Sequence, residues 1–132
     1  MRKAVLADTG PLYAAVDPHD ANHSRSMREL QKLAGEKREV LVPFPTLCEA
    51  YSLVLCRLGG SLAAKWLAEL SGATVVNPTL DDHREAVARL SSFVDQRITL
   101  FDTTLAAVAL RLGVVVWTYD HHFDVMRVPV WR

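Results

Sequence analysis

Val114-Val115-Val116-Trp117-Thr118-Tyr119-Asp120 is the stretch on which the fold turns. Its first four residues are apolar in succession, β-branched up to the tryptophan, and they stop at a polar triplet. An unbroken apolar run of that length is a strand buried on both faces, as parallel sheets require, rather than a strand with one wet face. Just upstream, Gly113 closes a helical pattern over residues 99–112. That pattern opens at Thr99-Leu100-Phe101-Asp102, which has capping-box spacing with Asp in place of the usual Glu.

The same alternation runs back to the start of the chain. Lys3-Ala4-Val5-Leu6-Ala7 is an apolar run halted at Asp8-Thr9-Gly10-Pro11, which predicts a buried first strand. Pro11 suits the first turn of a short helix over 12–16. Asp17-Pro18-His19-Asp20 breaks the chain, and a helix follows over 21–33, with Met27, Leu30, Leu33 and Ala34 on one face and Gly35 at its end. Glu39-Val40-Leu41-Val42 is a second strand stopped by Pro43. Thr46-Leu47-Cys48-Glu49 has the form of a capping box opening a helix over 46–58, which Gly59-Gly60 ends. A helix over 61–70, a strand at Ala73-Thr74-Val75-Val76 and a helix over 79–94 complete the middle of the chain. Val128-Pro129-Val130-Trp131 reads as a short edge strand, since Pro129 cannot donate to a ladder. Strands alternating with helices, and apolar on both faces, predict an α/β domain whose mainly parallel sheet is covered by helices on both sides.

Length and composition fit that picture. The 132 residues suffice for a single domain over 1–132, and half of them are hydrophobic. That composition argues against disorder. No apolar run approaches the roughly 18 residues of a membrane helix. The apolar stretch before Asp8 is shorter than the ~7–15-residue core of a signal peptide, so an unexported, cytoplasmic protein is expected. Cys48 and Cys56, eight residues apart on one helix, would be about 12 Å apart along its axis. A disulfide needs Cα atoms within about 7 Å, so they are expected to be free, buried thiols. Fifteen basic and 15 acidic residues give no net charge, unlike a simple cationic nucleic-acid binder.

Four acids stand out by position. Ligands of an open parallel sheet bind beyond the carboxyl ends of the strands, where the following helices begin. Asp8 directly follows the first strand, Glu49 opens the helix after the second, and Asp120 follows the strand that ends at Trp117. Asp102 opens the helix preceding that strand. This helix must run antiparallel to it, so its start lies at the same edge. Carboxylates held together raise one another's pKa, and a hard divalent cation removes the penalty. Metal-assisted phosphodiester hydrolysis is the chemistry such a cluster supports. Setting the four acids aside leaves the rest of the chain net positive by four, compatible with a phosphate-bearing substrate. Each acid also has a plainer reading: Glu49 and Asp102 as helix caps, Asp8 as a turn residue, Asp120 as a solvated loop acid.

Four short motifs carry a resemblance. Asp8-Thr9-Gly10-Pro11-Leu12, Thr46 to Ala50 with Glu49 as its acid, Asp102-Thr103-Thr104-Leu105-Ala106-Ala107, and Thr118-Tyr119-Asp120-His121-His122-Phe123 resemble, in order and spacing, the PIN-domain pattern. Within that family they are similar to the VapC-type toxin nucleases, over nearly the whole chain. The resemblance implies a three-layer α/β/α sandwich. It implies that Asp8, Glu49, Asp102 and Asp120 bind Mg²⁺ or Mn²⁺ and cleave RNA through an activated water. It also implies a cognate antitoxin and a homodimer as partners. Thr9 and Thr118 are candidates to orient the carboxylates, and Asp124 is a peripheral acid where some relatives carry an additional one. The chain departs from the pattern at Phe101, where many relatives carry a hydroxyl residue.

Other candidates are weaker. Arg25, Arg28, Arg57 and Arg97 are candidates to touch phosphate, although solvated helix faces explain them as well. His121 and His122 flank Asp120 and read first as loop surface. His19 and His23 have metal-ligand spacing only if the second helix starts early, which Asp17-Pro18 opposes. The helix over 61–70 is apolar around Leu62, Trp66, Leu67 and Leu70, wider than one core face needs, and predicts a dimer or antitoxin surface. A phosphoacceptor receiver domain would need a late lysine, but the last is Lys65. A haloacid-dehalogenase-type phosphatase would need Asp-x-Asp where this chain has Asp8-Thr9-Gly10. A non-catalytic module that keeps the fold and binds RNA or protein stays open as the alternative.

Overall fold

Ala4–Ala7 forms β1, and all four residues are fully buried, as a central strand demands. The computed structural model describes residues 3–132; the first two residues of the expected domain lie outside the described ones. After β1 come α1 (Thr9–Ala14), α2 (His23–Gly35), β2 (Glu39–Pro43), α3 (Phe44–Leu58), α4 (Gly60–Glu69), a 3₁₀ turn (Leu70–Gly72), β3 (Thr74–Val76), α5 (Leu80–Leu90), α6 (Leu100–Leu112), β4 (Val115–Trp117) and α7 (His122–Val125). The strands form one parallel sheet in the order β3-β2-β1-β4.

Alternation along the strands sorts the core into layers. Ala4, Leu6, Leu41 and Val116 pack with Leu105, Ala106, Val108 and Ala109 of α6, and with Phe123 and Met126. Val5, Ala7 and Trp117 point the other way and pack with Leu33 of α2 and Trp131. Val42 meets Leu12 and Tyr13 of α1, Ala50 and Val54 of α3, and Ala63 and Trp66 of α4. The expected three-layer α/β/α arrangement is therefore present, with α5 packed on α6. Gly113 stops α6 in the left-handed conformation, φ 65°, which suits glycine at that position.

Several sequence expectations need correction. The motif at Thr46 is not a capping box. The helix begins two residues earlier, with Pro43 as its cap residue and Pro45 in its first turn. Thr46 is fully buried, and its hydroxyl donates to the Ala7 carbonyl at 3.0 Å, tying α3 to the end of β1. α5 stops at Leu90 rather than near 94, where Ser91 donates its hydroxyl back to the Ala88 carbonyl. Residues 128–131 do not form a strand. Among the described residues they contribute one bridge, Val116 to Val130, because Pro129 has no N–H and offers only its carbonyl, to the Val116 N–H. Cys48 and Cys56 are free as expected but exposed rather than buried. The apolar stripe of α4 divides. Trp66 is buried and Leu70 packs beside it within the domain, while Leu62 and Leu67 remain exposed.

Two polar ties hold the segment after β4. The Glu29 carboxylate accepts from Trp117 Nε1 at 3.1 Å and from the Tyr119 hydroxyl. α2 thus fixes the backbone that leads into Asp120.

Candidate active site

The carboxyl ends of β1 and β4 and the starts of α3 and α6 meet around one cavity of about 830 Å³. Asp8, Glu49, Asp102 and Asp120 all line it. They are not equivalent. Asp8 and Asp102 are buried, Asp120 is part-buried and Glu49 is exposed.

Asp8 is the best-held of the four. Its N–H makes a ladder bond to the Trp117 carbonyl, so its backbone is set by the sheet. Its extended conformation caps α1, and one carboxylate oxygen accepts from the Thr9 N–H at 2.8 Å. The other accepts from the Thr118 hydroxyl at 2.7 Å. That hydroxyl also accepts from the Asp120 N–H at 2.9 Å, so Thr118 joins the two acids through one atom. Burial pushes the Asp8 carboxyl up to about 6, against the two hydrogen bonds, and the nearby Asp102 and Asp120 push it further in the same direction.

Asp102 sits at the third position of α6. Thr99 and Asp102 form a reciprocal capping box: the Asp102 N–H donates to Thr99 Oγ1, and Asp102 Oδ2 accepts from the Thr99 N–H, both at 3.1 Å. The predicted cap is therefore real, and the same carboxylate still faces the cavity. Asp120 accepts from the His122 N–H at 2.9 Å, which turns the chain into α7. Glu49 lies a turn beyond the start of α3 rather than at it.

Of the other candidates, Thr118 touches the acids directly, whereas the Thr9 hydroxyl is buried without a hydrogen-bond partner and only its N–H reaches Asp8. Asp124 lies outside the cavity, in an ion pair with Arg132 at 2.7 Å. His23 opens α2 and bonds the Ala14 carbonyl, so no His19–His23 ligand pair forms on one helix. The loop-surface reading of the histidines fails for His122. Both line the cavity, and His122 has only 16% of its side chain exposed. Its Nδ1 lies 3.2 Å from Asp120 Oδ1 and 3.5 Å from Asp102 Oδ2, buried and without a hydrogen bond. His122 immediately precedes Phe123, whose full burial holds this turn against the core.

The donor set fits a divalent cation. Among the described residues, the tightest potential ligand group is Asp120, His121 and His122, with ligand atoms within 4.8 Å of one another. The four acids are spaced more widely. Mg²⁺ tolerates that, because it keeps several waters and uses only one or two carboxylates. The buried Asp8 carboxylate, crowded by Asp102 and Asp120, carries negative charge that a bound cation compensates, and the buried His122 Nδ1 beside them makes no hydrogen bond of its own.

A family model described as PIN domain matches residues 5–129. The chain belongs to the PIN-domain family. Solved structures of similar shape include VapC20 of Mycobacterium tuberculosis, described as a sarcin–ricin-loop-cleaving toxin. It superposes with a TM-score of 0.84 at 24% identity, over 98% of this chain and 99% of that one. VapBC2 of Rickettsia felis, solved bound to a promoter DNA fragment, superposes with a TM-score of 0.71 at 14% identity, over 98% and 97% of the two chains. A toxin–antitoxin complex from Klebsiella pneumoniae gives 0.67 at 16% identity, over 89% and 88%. No curated protein matches the chain in sequence. At these identities the likeness is one of fold. Within that PIN fold, no described helix is long and apolar enough to cross a membrane.

Proposed function

We propose that this PIN domain is a divalent-metal-dependent endoribonuclease of the VapC type, the toxin of a toxin–antitoxin pair. One observation carries the reading: a buried Asp8 carboxyl pushed up to about 6 in a cavity shared with Glu49, Asp102 and Asp120. A fold uses such an arrangement when a cation is to be held there, since otherwise the crowding is only a cost. Asp8, Asp102 and Asp120 would hold Mg²⁺ or Mn²⁺, with Glu49 at the open rim. Bound there, the ion supplies an activated water and charge stabilisation at a phosphodiester. The chain's own part is positional. β1 and β4 fix Asp8 through its backbone, the capping box fixes Asp102, and Thr118 sets Asp8 and Asp120 relative to one another.

The test is incubation of single-stranded RNA with the protein in Mg²⁺ or Mn²⁺ and in EDTA. Cleavage only in the presence of metal is expected, and cleavage that persists in EDTA rules the mechanism out. Thr118→Val tests the positional part. Removing the hydroxyl bond takes away a contact that lowers the Asp8 pKa. Cleavage is expected to fall roughly 10- to 100-fold, as for other residues that orient metal ligands. The acid limb of the pH–rate profile should move to higher pH. An unchanged profile removes Thr118 from the site.

The partners belong to the same proposal. The toxin-type fold is expected to have a cognate antitoxin and to form a homodimer. An apolar groove of about 280 Å³ between α1, α2 and α4, lined by Leu12, Val16, Leu30 and Trp66, lies beside the exposed Leu62 and Leu67 of α4. We place the antitoxin contact there.

A further inference from the structure

Of the four arginines that the sequence marks for phosphate, only one reaches the cavity. Arg25 lies 4.0 Å over the Tyr119 ring and pairs with Glu29 at 3.4 Å. Arg57 sits over the Tyr13 ring at 5.1 Å. Arg28 lies on the exposed face of α2. Arg97 lines the acidic cavity. Its side chain has no ion pair or hydrogen-bond partner among the described residues, although four carboxylates line the same space. An exposed cation in that position has been left free for something else.

The local backbone supports this. Arg97 takes φ 53°, a left-handed conformation that side chains other than glycine rarely adopt. The next residue, Ile98, is buried in the core, and the one after it, Thr99, is locked to Asp102 by the capping box. Arg97 is therefore held at a fixed offset from Asp102 rather than left on a free loop.

Phe101 is the second unusual residue. It occupies the position where the family pattern often has a hydroxyl, and it lines the same cavity with its ring half-buried against the core. A free guanidinium and an aromatic ring four residues apart, facing one cavity, are the two elements of single-strand recognition. The cation takes the backbone phosphate and the ring stacks a base.

We propose that Arg97 and Phe101 form a nucleotide subsite that positions single-stranded RNA across the acidic site, with a phosphate on Arg97 and an adjoining base on Phe101. The subsite rests on the ribonuclease reading above. It adds binding energy and register to a cavity whose acids would otherwise repel RNA. It would give a chain with no net positive charge a local means of binding RNA.

The experiment is fluorescence anisotropy with a labelled single-stranded oligoribonucleotide, at salt concentrations from about 50 to 200 mM. The reference is the Asp8→Asn protein, compared with the same protein carrying Arg97→Ala, Arg97→Lys or Phe101→Leu. Arg97→Ala is expected to weaken binding about tenfold at low salt. It should also reduce the slope of log affinity against log salt by about 0.7, the loss of one single-strand phosphate contact. Arg97→Lys should keep the slope. Phe101→Leu keeps the packing against the core and should weaken binding about tenfold with the slope unchanged. Melting curves identify any variant whose loss reflects misfolding. Unchanged affinity and slope in both Arg97→Ala and Phe101→Leu overturn the subsite while the nuclease reading stands. Failure of the reference to bind RNA overturns the subsite, and if the wild-type protein also leaves RNA intact, the nuclease reading falls with it.

Discussion

Asp8→Asn is expected to lose metal-dependent RNA cleavage by at least about 10²-fold while making the metal-free protein more stable at pH 7. The first effect follows from removing the charged oxygen at the centre of the site, since replacing even an outer partner of a metal ligand costs about 10- to 100-fold. The second follows from linkage. The folded protein raises the Asp8 carboxyl from 3.8 to about 6, so between those pH values the folded state binds more protons than the unfolded state. Stability therefore falls as pH rises through that window, and above pH 6 the ionised carboxylate costs about 3 kcal/mol. Asparagine keeps one acceptor oxygen for the Thr9 N–H, turns an amide N–H toward Thr118 Oγ1 in place of the second acceptor, and carries no charge. A gain of about 1–3 kcal/mol at pH 7 should result, shrinking below pH 4, where Asp8 is protonated in both states. Thermal melts of the two proteins from pH 4 to pH 8 in EDTA measure it. A loss of stability at pH 7 contradicts the account, because it would make Asp8 a structural cap and nothing more.

Arg111→Met is expected to give the opposite signature, a large loss of stability with the cleavage site intact. Asp82 is buried at the third position of α5, where it completes a capping box with Thr79. Arg111, near the end of α6, reaches it through Nε at 3.0 Å to both carboxylate oxygens and through a second nitrogen at 2.9 Å. Burial works against the charged form of Asp82, but the Arg111 and Thr79 hydrogen bonds outweigh it and hold the carboxyl below its usual value. Removing one partner of a buried pair costs about 3–5 kcal/mol. Arg111 is 38% exposed at its side chain, so water screens part of this, and about 2 kcal/mol is the expected loss. The melting temperature should fall by roughly 8 °C. Because the Asp82 pKa is depressed, the contribution is present above its unfolded pKa of 3.8 and disappears as pH falls through the folded value. Wild type and variant should therefore converge in acid. An equal gap in melting temperature at pH 3 and pH 7 shows that packing of the arginine stem, not its charge, holds α5 to α6.

The sheet was legible because its strands are two-sided apolar runs stopped by polar residues. Val5 and Leu6 pack on opposite layers, and both are fully buried. The common edge of the four acids followed from strand direction alone, including the indirect argument for Asp102. Three kinds of feature were not legible. The Thr46 motif has capping-box spacing, but Pro43 and Pro45 start the helix earlier, and the threonine is used to reach β1. Local spacing cannot reveal a contact to residue 7. The inequality of the acids was hidden as well. Asp8 is buried between two strands and Glu49 stands in solvent at the rim, a difference made by tertiary packing. His122 read as loop surface, and nothing in the sequence separated Arg97 from the other three candidate arginines. What distinguishes them is a buried nitrogen without a hydrogen bond in one case and, in the other, a cavity-lining guanidinium without a partner among the described residues, and both depend on how α6 and α7 frame the cavity.

The exposed Cys48 and Cys56 carry the same lesson in reverse. Composition favours burial for a small sulfur side chain. Their helix, however, presents Ala50 and Val54 to the core and turns both cysteines outward. Which side of a broadly apolar helix is buried depends on its neighbours.

If the Asp8 cavity is a divalent-cation site, it should take up Mn²⁺ from solution. This can be measured by calorimetric Mn²⁺ titration of wild-type and Asp8→Asn protein, side by side at pH 7 and without RNA. The wild type should show saturable uptake, lost or weakened by at least about tenfold in Asp8→Asn. Equal uptake by the two proteins, or none by the wild type, contradicts it.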